Sequence, residues 1–170
     1  IGTQVFIQPP VESTELGSAV HAFFAADAAG LAAAERLAIA RAVLERWSVQ
    51  SALRAEELVG AADALRVWTE RRWPAARAHR EWPVRLRQAS GTELVGYADF
   101  VLMDADSFVL IDYKCVGGNR EEALQAAAGY AGQLWTYAEA IANATGKSAA
   151  GCFIHLVAQG LVVSVNDRTE

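Results

Sequence analysis

The chain has 170 residues, 53% of them hydrophobic, with five tryptophans and a net charge of −5. That balance suits one globular domain with a sizeable core and excludes a disordered chain. No apolar run approaches the roughly 20 residues of a membrane span, and no signal-peptide pattern opens the chain. Two scattered cysteines, Cys115 and Cys152, exclude a zinc or iron–sulfur signature; they read as small core residues in a reducing, intracellular setting.

The opening Ile1-Gly2-Thr3 has no initiator methionine, and Ile7-Gln8-Pro9-Pro10 reads as the end of a linker. Residues 1–12 are therefore expected to join the chain to an upstream region, and residues 13–170 to form a single domain. Ser13-Thr14 can cap a helix running to about Asp27, with Glu15 in its first turn. Within it, Leu16-Gly17-Ser18-Ala19-Val20-His21 sets a lone histidine among small and apolar neighbours. Such a histidine reads either as a satisfied core or surface residue or as a ligand; His79 and His155 carry less signal still. Gly30 breaks the pattern, and an alanine- and leucine-rich helix follows from about Leu31 to Trp47. Two further helical stretches run to about Ala78, interrupted near Gly60 and at Pro74.

Arg66, Arg71, Arg72, Arg77, Arg80, Arg85 and Arg87 fall within 22 residues. They form either a solvated helix face or a phosphate-contacting rim, which needs only local positive potential. The acidic total argues against strong nucleic-acid binding by this domain alone.

From Glu81 the period changes. Trp82-Pro83-Val84-Arg85-Leu86-Arg87 alternates as a strand, Ser90-Gly91 makes a turn, and a second strand runs through Asp99. Two apolar runs, Phe100-Val101-Leu102-Met103 and Phe108-Val109-Leu110-Ile111, flank the polar turn Asp104-Ala105-Asp106-Ser107. An antiparallel hairpin centred between Ala105 and Asp106 sets Asp99 directly opposite Asp112. Their Cβ atoms are then roughly 5 Å apart, where like charges destabilise a sheet. A hard cation with oxygen ligands relieves that clash. Lys114, two residues beyond Asp112, shares its strand face, and two carboxylates with an ammonium beside them suit a hydrolytic centre. The bland alternative is a pair of solvated strand ends, and a register one residue different moves one aspartate to the other face.

After Lys114 comes the loop Cys115-Val116-Gly117-Gly118-Asn119, then one helix from about Arg120 to Ala144, ended by Gly146. On that helix Tyr130, Gln133 and Tyr137 share a face continued by Leu134 and Ile141. Tyr137 fits a core stripe, whereas a glutamine within an apolar stripe needs hydrogen-bond partners if it is buried. Runs from Cys152 to Ala158 and from Leu161 to Val165 close the chain as a hairpin turning at Gln159-Gly160. The order gives an α/β (α+β) fold: a helical N-terminal half, then a mixed central sheet of about five strands with a crossover helix on one face.

Gly96-Tyr97-Ala98-Asp99, Ile111-Asp112-Tyr113-Lys114 and the later Gln133…Tyr137 spacing resemble the RecB-type nuclease family of the PD-(D/E)XK superfamily. Leu16 to His21 resembles its histidine-bearing helix, and Glu81-Trp82-Pro83-Val84 its first-strand motif. The likeness runs from about Leu16 to Val165 and is closest to the C-terminal nuclease domain of bacterial AddA- and RecB-type helicase–nucleases. Branches with a four-cysteine iron–sulfur cluster are excluded by the cysteine count.

The resemblance implies a restriction-endonuclease-like fold and a Mg²⁺- or Mn²⁺-dependent deoxyribonuclease, an exonuclease acting in double-strand-break repair and recombination. His21, Asp99, Asp112 and the backbone carbonyl of Tyr113 would ligate the ion. Lys114 would orient or activate the attacking water, with Gln133 and Tyr137 supporting the site or touching DNA. DNA, helicase domains of a parent chain and a second helicase–nuclease subunit are the implied partners, in a bacterial cytoplasm and without a membrane. Cys115 departs from the threonine or serine common after the lysine. The competing expectations are a non-catalytic, nuclease-like module that only holds DNA or a subunit, and a stand-alone repair or restriction nuclease.

Overall fold

The computed structural model describes residues 1–8, 13–87 and 91–165. Three helices come first: α1 (Ser13–Ala26), α2 (Ala33–Arg46) and α3 (Ala55–Arg72). Strands β1 (Arg77–Arg87), β2 (Glu93–Met103) and β3 (Ser107–Lys114) follow. Helices α4 (Arg120–Gly129) and α5 (Ala131–Thr145) then lead to β4 (Ser148–Leu156) and β5 (Leu161–Val165). The sheet runs β1-β2-β3-β4-β5, antiparallel throughout except for β3 beside β4. Parallel neighbours need a long crossover, and α4 and α5 supply it. The expected mixed sheet of five strands in an α+β fold is what the chain adopts.

Strand β3 is buried continuously from Phe108 to Tyr113 and takes the centre, as a strand covered on both faces must. Its alternation decides the two layers. Val109, Ile111 and Tyr113 pack with Phe100 and Leu102 against α1, α2 and α3. Phe108 and Leu110 pack with Val101, Cys152 and Ile154 against α4 and α5. Pro83 falls on β1, an edge strand, where a missing donor costs no ladder bond.

Four expectations need adjusting. Gly60 does not interrupt a helix, because α3 runs straight through it. A glycine costs about 1 kcal/mol there, and burial of Leu58 and Leu65 on the same helix outweighs it. Strand β1 begins at Arg77 rather than at Glu81, since its ladder with β2 extends to Arg77 opposite Met103. The helix expected over 120–144 is two, divided at Tyr130 (φ −91°, ψ −7°). Gly129 and Gly132 flank the division, which lets Ala123 and Ala127 of α4 and Leu134, Ala138 and Ile141 of α5 bury in one layer. Finally, the arginines from 66 to 87 do not form one rim. Arg66 is bound to Asp27, Arg80 donates to the Phe24 carbonyl and lies over Phe100, Arg72 covers Trp68, and Arg85 pairs with Glu93.

The sequence gives no warning of a buried guanidinium. Arg36 on α2 is 6% exposed and grips Asp27 through two bonds of 2.6 and 2.9 Å, with Asp63 of α3 at 2.7 Å. This network ties the three helices together behind α1. The opening segment lies along the body of the domain: the Val5 N–H donates to the Ala158 carbonyl and the Gln8 N–H to that of Ala52. Pro9 and Pro10 of the expected linker, the Ser13 side chain and Ser90 of the expected turn lie outside the described residues.

Candidate active site

The hairpin register is the one the apolar runs imply. Phe100 pairs with Ile111, Val101 with Leu110, Leu102 with Val109 and Met103 with Phe108. Continued by one step, it sets Asp99 across from Asp112. There the ladder gives way to a side-chain contact, in which the Tyr113 N–H donates to Asp99 Oδ2 at 2.8 Å.

Asp99 occupies an irregular point of the sheet. Its neighbour across on β1 is Glu81, and the ladder between Arg80–Phe100 and Trp82–Ala98 skips this pair. Glu81 has φ +49°, a conformation that costs an L residue energy and persists only where the surroundings impose it. Packing reverses across it: Phe100 belongs to the layer of α1–α3, while Ala98 and Val101 both lie in the layer of α5. The reversal leaves Asp99 at the junction of the two layers. His21 therefore reaches it from α1, with Nδ1 3.3 Å from Asp99 Oδ1. The helix turns His21 this way because Leu16, Ala19, Val20, Phe23 and Phe24 take the buried stripe and leave His21 at its edge.

Asp112 is 6% exposed, and its Oδ2 lies 2.7 Å from Lys114 Nζ. The contact is an ion pair rather than a directed hydrogen bond, since that oxygen has no partner in hydrogen-bonding geometry. Burial and then the charge of Asp99 push the Asp112 carboxyl up to about 6, against the opposing pull of Lys114. For His21, burial opposes the charged form, but the hydrogen bond and charge of Asp99, with the charge of Asp112, outweigh it and raise its pKa. Glu81, partly desolvated and facing the same Asp99 charge, is raised too. Two carboxyls and an imidazole that each hold their protons more tightly than usual mark a buried centre short of positive charge.

Tyr113 supplies the floor. Its ring is fully buried against Phe24, Phe100, His21 and His155. His155, buried beside it on β4, is driven down to about 3 by that burial and stays neutral. Cys115 is half-buried, and that desolvation pushes its thiol up to about 12 and leaves it unreactive.

On α5, Gln133 is exposed rather than buried, and its Nε2 lies 3.4 Å from Tyr137 Oη. Tyr137 explains the glycine of Gly96-Tyr97-Ala98-Asp99, because a Cβ on Gly96 would stand 2.5 Å from Tyr137 Oη and 3.2 Å from Cζ. Close approach, not backbone freedom, requires the glycine. Gly96→Ala is expected to cost about 1–3 kcal/mol by overpacking, read as a lowered urea midpoint. Adding Tyr137→Phe should recover part of the loss, and an unchanged midpoint in Gly96→Ala would show that Tyr137 is not seated there.

The structure thus brings His21 to Asp99, Lys114 to Asp112, and Gln133 to Tyr137. Among the described residues, no three His, Cys, Asp or Glu side chains are already gathered in a metal-holding group. The donor set still fits a hard or borderline divalent ion: two facing carboxylates, a buried oxygen without a directed donor, and an imidazole at the same junction.

A family model for the PD-(D/E)XK nuclease superfamily matches residues 4–168. The chain belongs to that superfamily, whose members are generally nucleases and typically use divalent metals. The five helices and mixed five-stranded sheet of the described residues are consistent with the restriction-endonuclease-like fold of that group. A search of curated proteins found no match. No described helix is long and apolar enough to cross a membrane.

Proposed function

We propose that this domain is a Mg²⁺- or Mn²⁺-dependent exodeoxyribonuclease that hydrolyses phosphodiester bonds at Asp99, Asp112 and Lys114. The observation that carries the reading is the pairing of two carboxylates on adjacent strands, where the β2–β3 ladder ends, one engaged by His21 and the other by Lys114. His21, Asp99, Asp112 and the Tyr113 carbonyl would hold the ion. When bound, the ion polarises the phosphoryl oxygen, lowers the pKa of water and stabilises the leaving oxygen. A neutral imidazole among the ligands favours Mn²⁺ more than an all-oxygen set would.

The chain's own groups do the rest. Lys114 lends an ammonium to the water and to the charge that builds on the phosphate. Asp99, held by the Tyr113 N–H, keeps its carboxylate fixed in direction. The Gln133–Tyr137 pair faces out of α5 beside the β2 strand that bears Asp99, where it supports the site or touches DNA. The likeness to the RecB-type family supports a setting in a bacterial helicase–nuclease that processes broken DNA ends, with helicase domains and a second subunit as partners.

The test is degradation of DNA in Mg²⁺ and Mn²⁺. An exonuclease shortens linear DNA and spares covalently closed circles. Cutting of both forms alike would replace the exonuclease with an endonuclease. DNA binding with no cleavage in either metal would leave the non-catalytic module as the better account.

A further inference from the structure

We propose that Tyr130 is a positioning residue, the second partner that holds the Lys114 ammonium in place once Asp112 is engaged by a cation. The inference rests on the nuclease reading above and goes beyond it, to how the lysine stays in position. Lys114 Nζ lies 2.7 Å from Asp112 Oδ2 and 4.6 Å from the centre of the Tyr130 ring. The ammonium is thus between a carboxylate and an aromatic face, both of which attract it.

The first of these partners is not a stable one. A cation bound by Asp99 and Asp112 takes over the carboxylate that Lys114 uses, and like charge then repels the ammonium. A lysine has four rotatable bonds and strong hydration, so without a second anchor it swings into solvent. A ring face stays attractive whatever Asp112 is doing, because its quadrupole does not titrate and cannot ligate a hard ion.

The backbone bears out the importance of this ring. Tyr130 lies in neither helix: it is the last cap of α4 and the first of α5. Dividing the helix here forfeits regular hydrogen bonding, and α5 begins with no side-chain cap to compensate. What the division achieves is two seatings at once. Tyr130 lies over Lys114, while α5 keeps Leu134, Ala138 and Ile141 under the sheet and Tyr137 against Gly96.

Three variants of the whole chain, Tyr130→Leu, Tyr130→Phe and Lys114→Ala, test this by two readouts. The first is independent of activity: the ε-methylene protons of Lys114, in ¹H–¹³C spectra, should show an upfield ring-current shift. That shift should persist when Mg²⁺ is added and in Tyr130→Phe, and vanish in Tyr130→Leu. The second is cleavage. Tyr130→Leu should lower kcat by about 5- to 30-fold with KM unchanged, the effect of losing a partly desolvated cation–π contact. Tyr130→Phe should stay within about twofold of wild type, because the ring face remains.

A Lys114 shift that is the same in Tyr130→Leu, or that collapses on adding Mg²⁺, overturns the assignment. So does a Tyr130→Leu protein that cuts at full rate while Lys114→Ala does not, and in that case the nuclease reading stands. A wild-type protein inert with both metals overturns the nuclease reading and any catalytic positioning by Tyr130 with it.

Discussion

Lys114→Ala is expected to slow phosphodiester cleavage at saturating DNA by about 10²–10³-fold, the usual effect of removing one donor aimed at developing charge. The Lys114 side chain is 18% exposed and its ammonium lies against Asp112 and the Tyr130 ring, so the charge acts in a partly desolvated place. It matters most when negative charge builds on the phosphate, and little when DNA merely docks. kcat should therefore fall while the DNA dissociation constant moves by no more than about twofold. Single-turnover cleavage with a parallel binding titration separates the two. An equal loss of rate and affinity would make Lys114 a phosphate anchor rather than a catalytic group.

Asp112→Asn should have opposite effects with and without metal. Its folded carboxyl is raised from the usual 3.8 to about 6, by burial first and by the charge of Asp99 next. A folded pKa above the unfolded one means that the ionised form weakens the fold. The loss of stability sets in as pH rises from about 4 towards 6 and is complete at neutral pH. Asparagine removes that charge, and the unpaired Lys114 offsets some of the gain. The metal-free variant should then melt about 2–8 °C above wild type at pH 7, corresponding to roughly 1–2 kcal/mol. Adding millimolar Mg²⁺ or Mn²⁺ should raise the wild-type melting temperature by mass action and leave the variant unmoved. A wild-type melting curve indifferent to both metals would count against an ion at Asp112.

The sequence carries the hairpin plainly, because two apolar runs of equal length flank a short polar turn, and the register that centres on that turn is the one the fold adopts. That register is also what sets Asp99 against Asp112. The layer order follows from β3 as well, since residues 108 to 111 have no polar member and must be covered twice. Less legible are the features that depend on packing between distant segments. Nothing in the local pattern at Glu81 signals φ +49°, since only Asp99 across the ladder and the reversal of layers demand it. Gly129 and Gly132 weaken the helix around Tyr130, but nothing local says that it divides there, and the division answers to Lys114 and Gly96 on other elements. Gln133 sits outside the core because α5 turns Leu134, Ala138 and Ile141 towards the sheet, and Gln133 lies one residue round the helix from Leu134. Arginine density says nothing about partners, and Arg66 and Arg80 are held by Asp27 and Phe24 within the fold.

The most direct measurement is the rate at which wild-type and Asp112→Asn proteins degrade linear DNA in saturating Mn²⁺, with equal folding verified by circular dichroism. The expected result is metal-dependent degradation by the wild type and less than about one hundredth of that rate in the variant. Degradation by the folded variant at the wild-type rate would contradict an active centre built on Asp112.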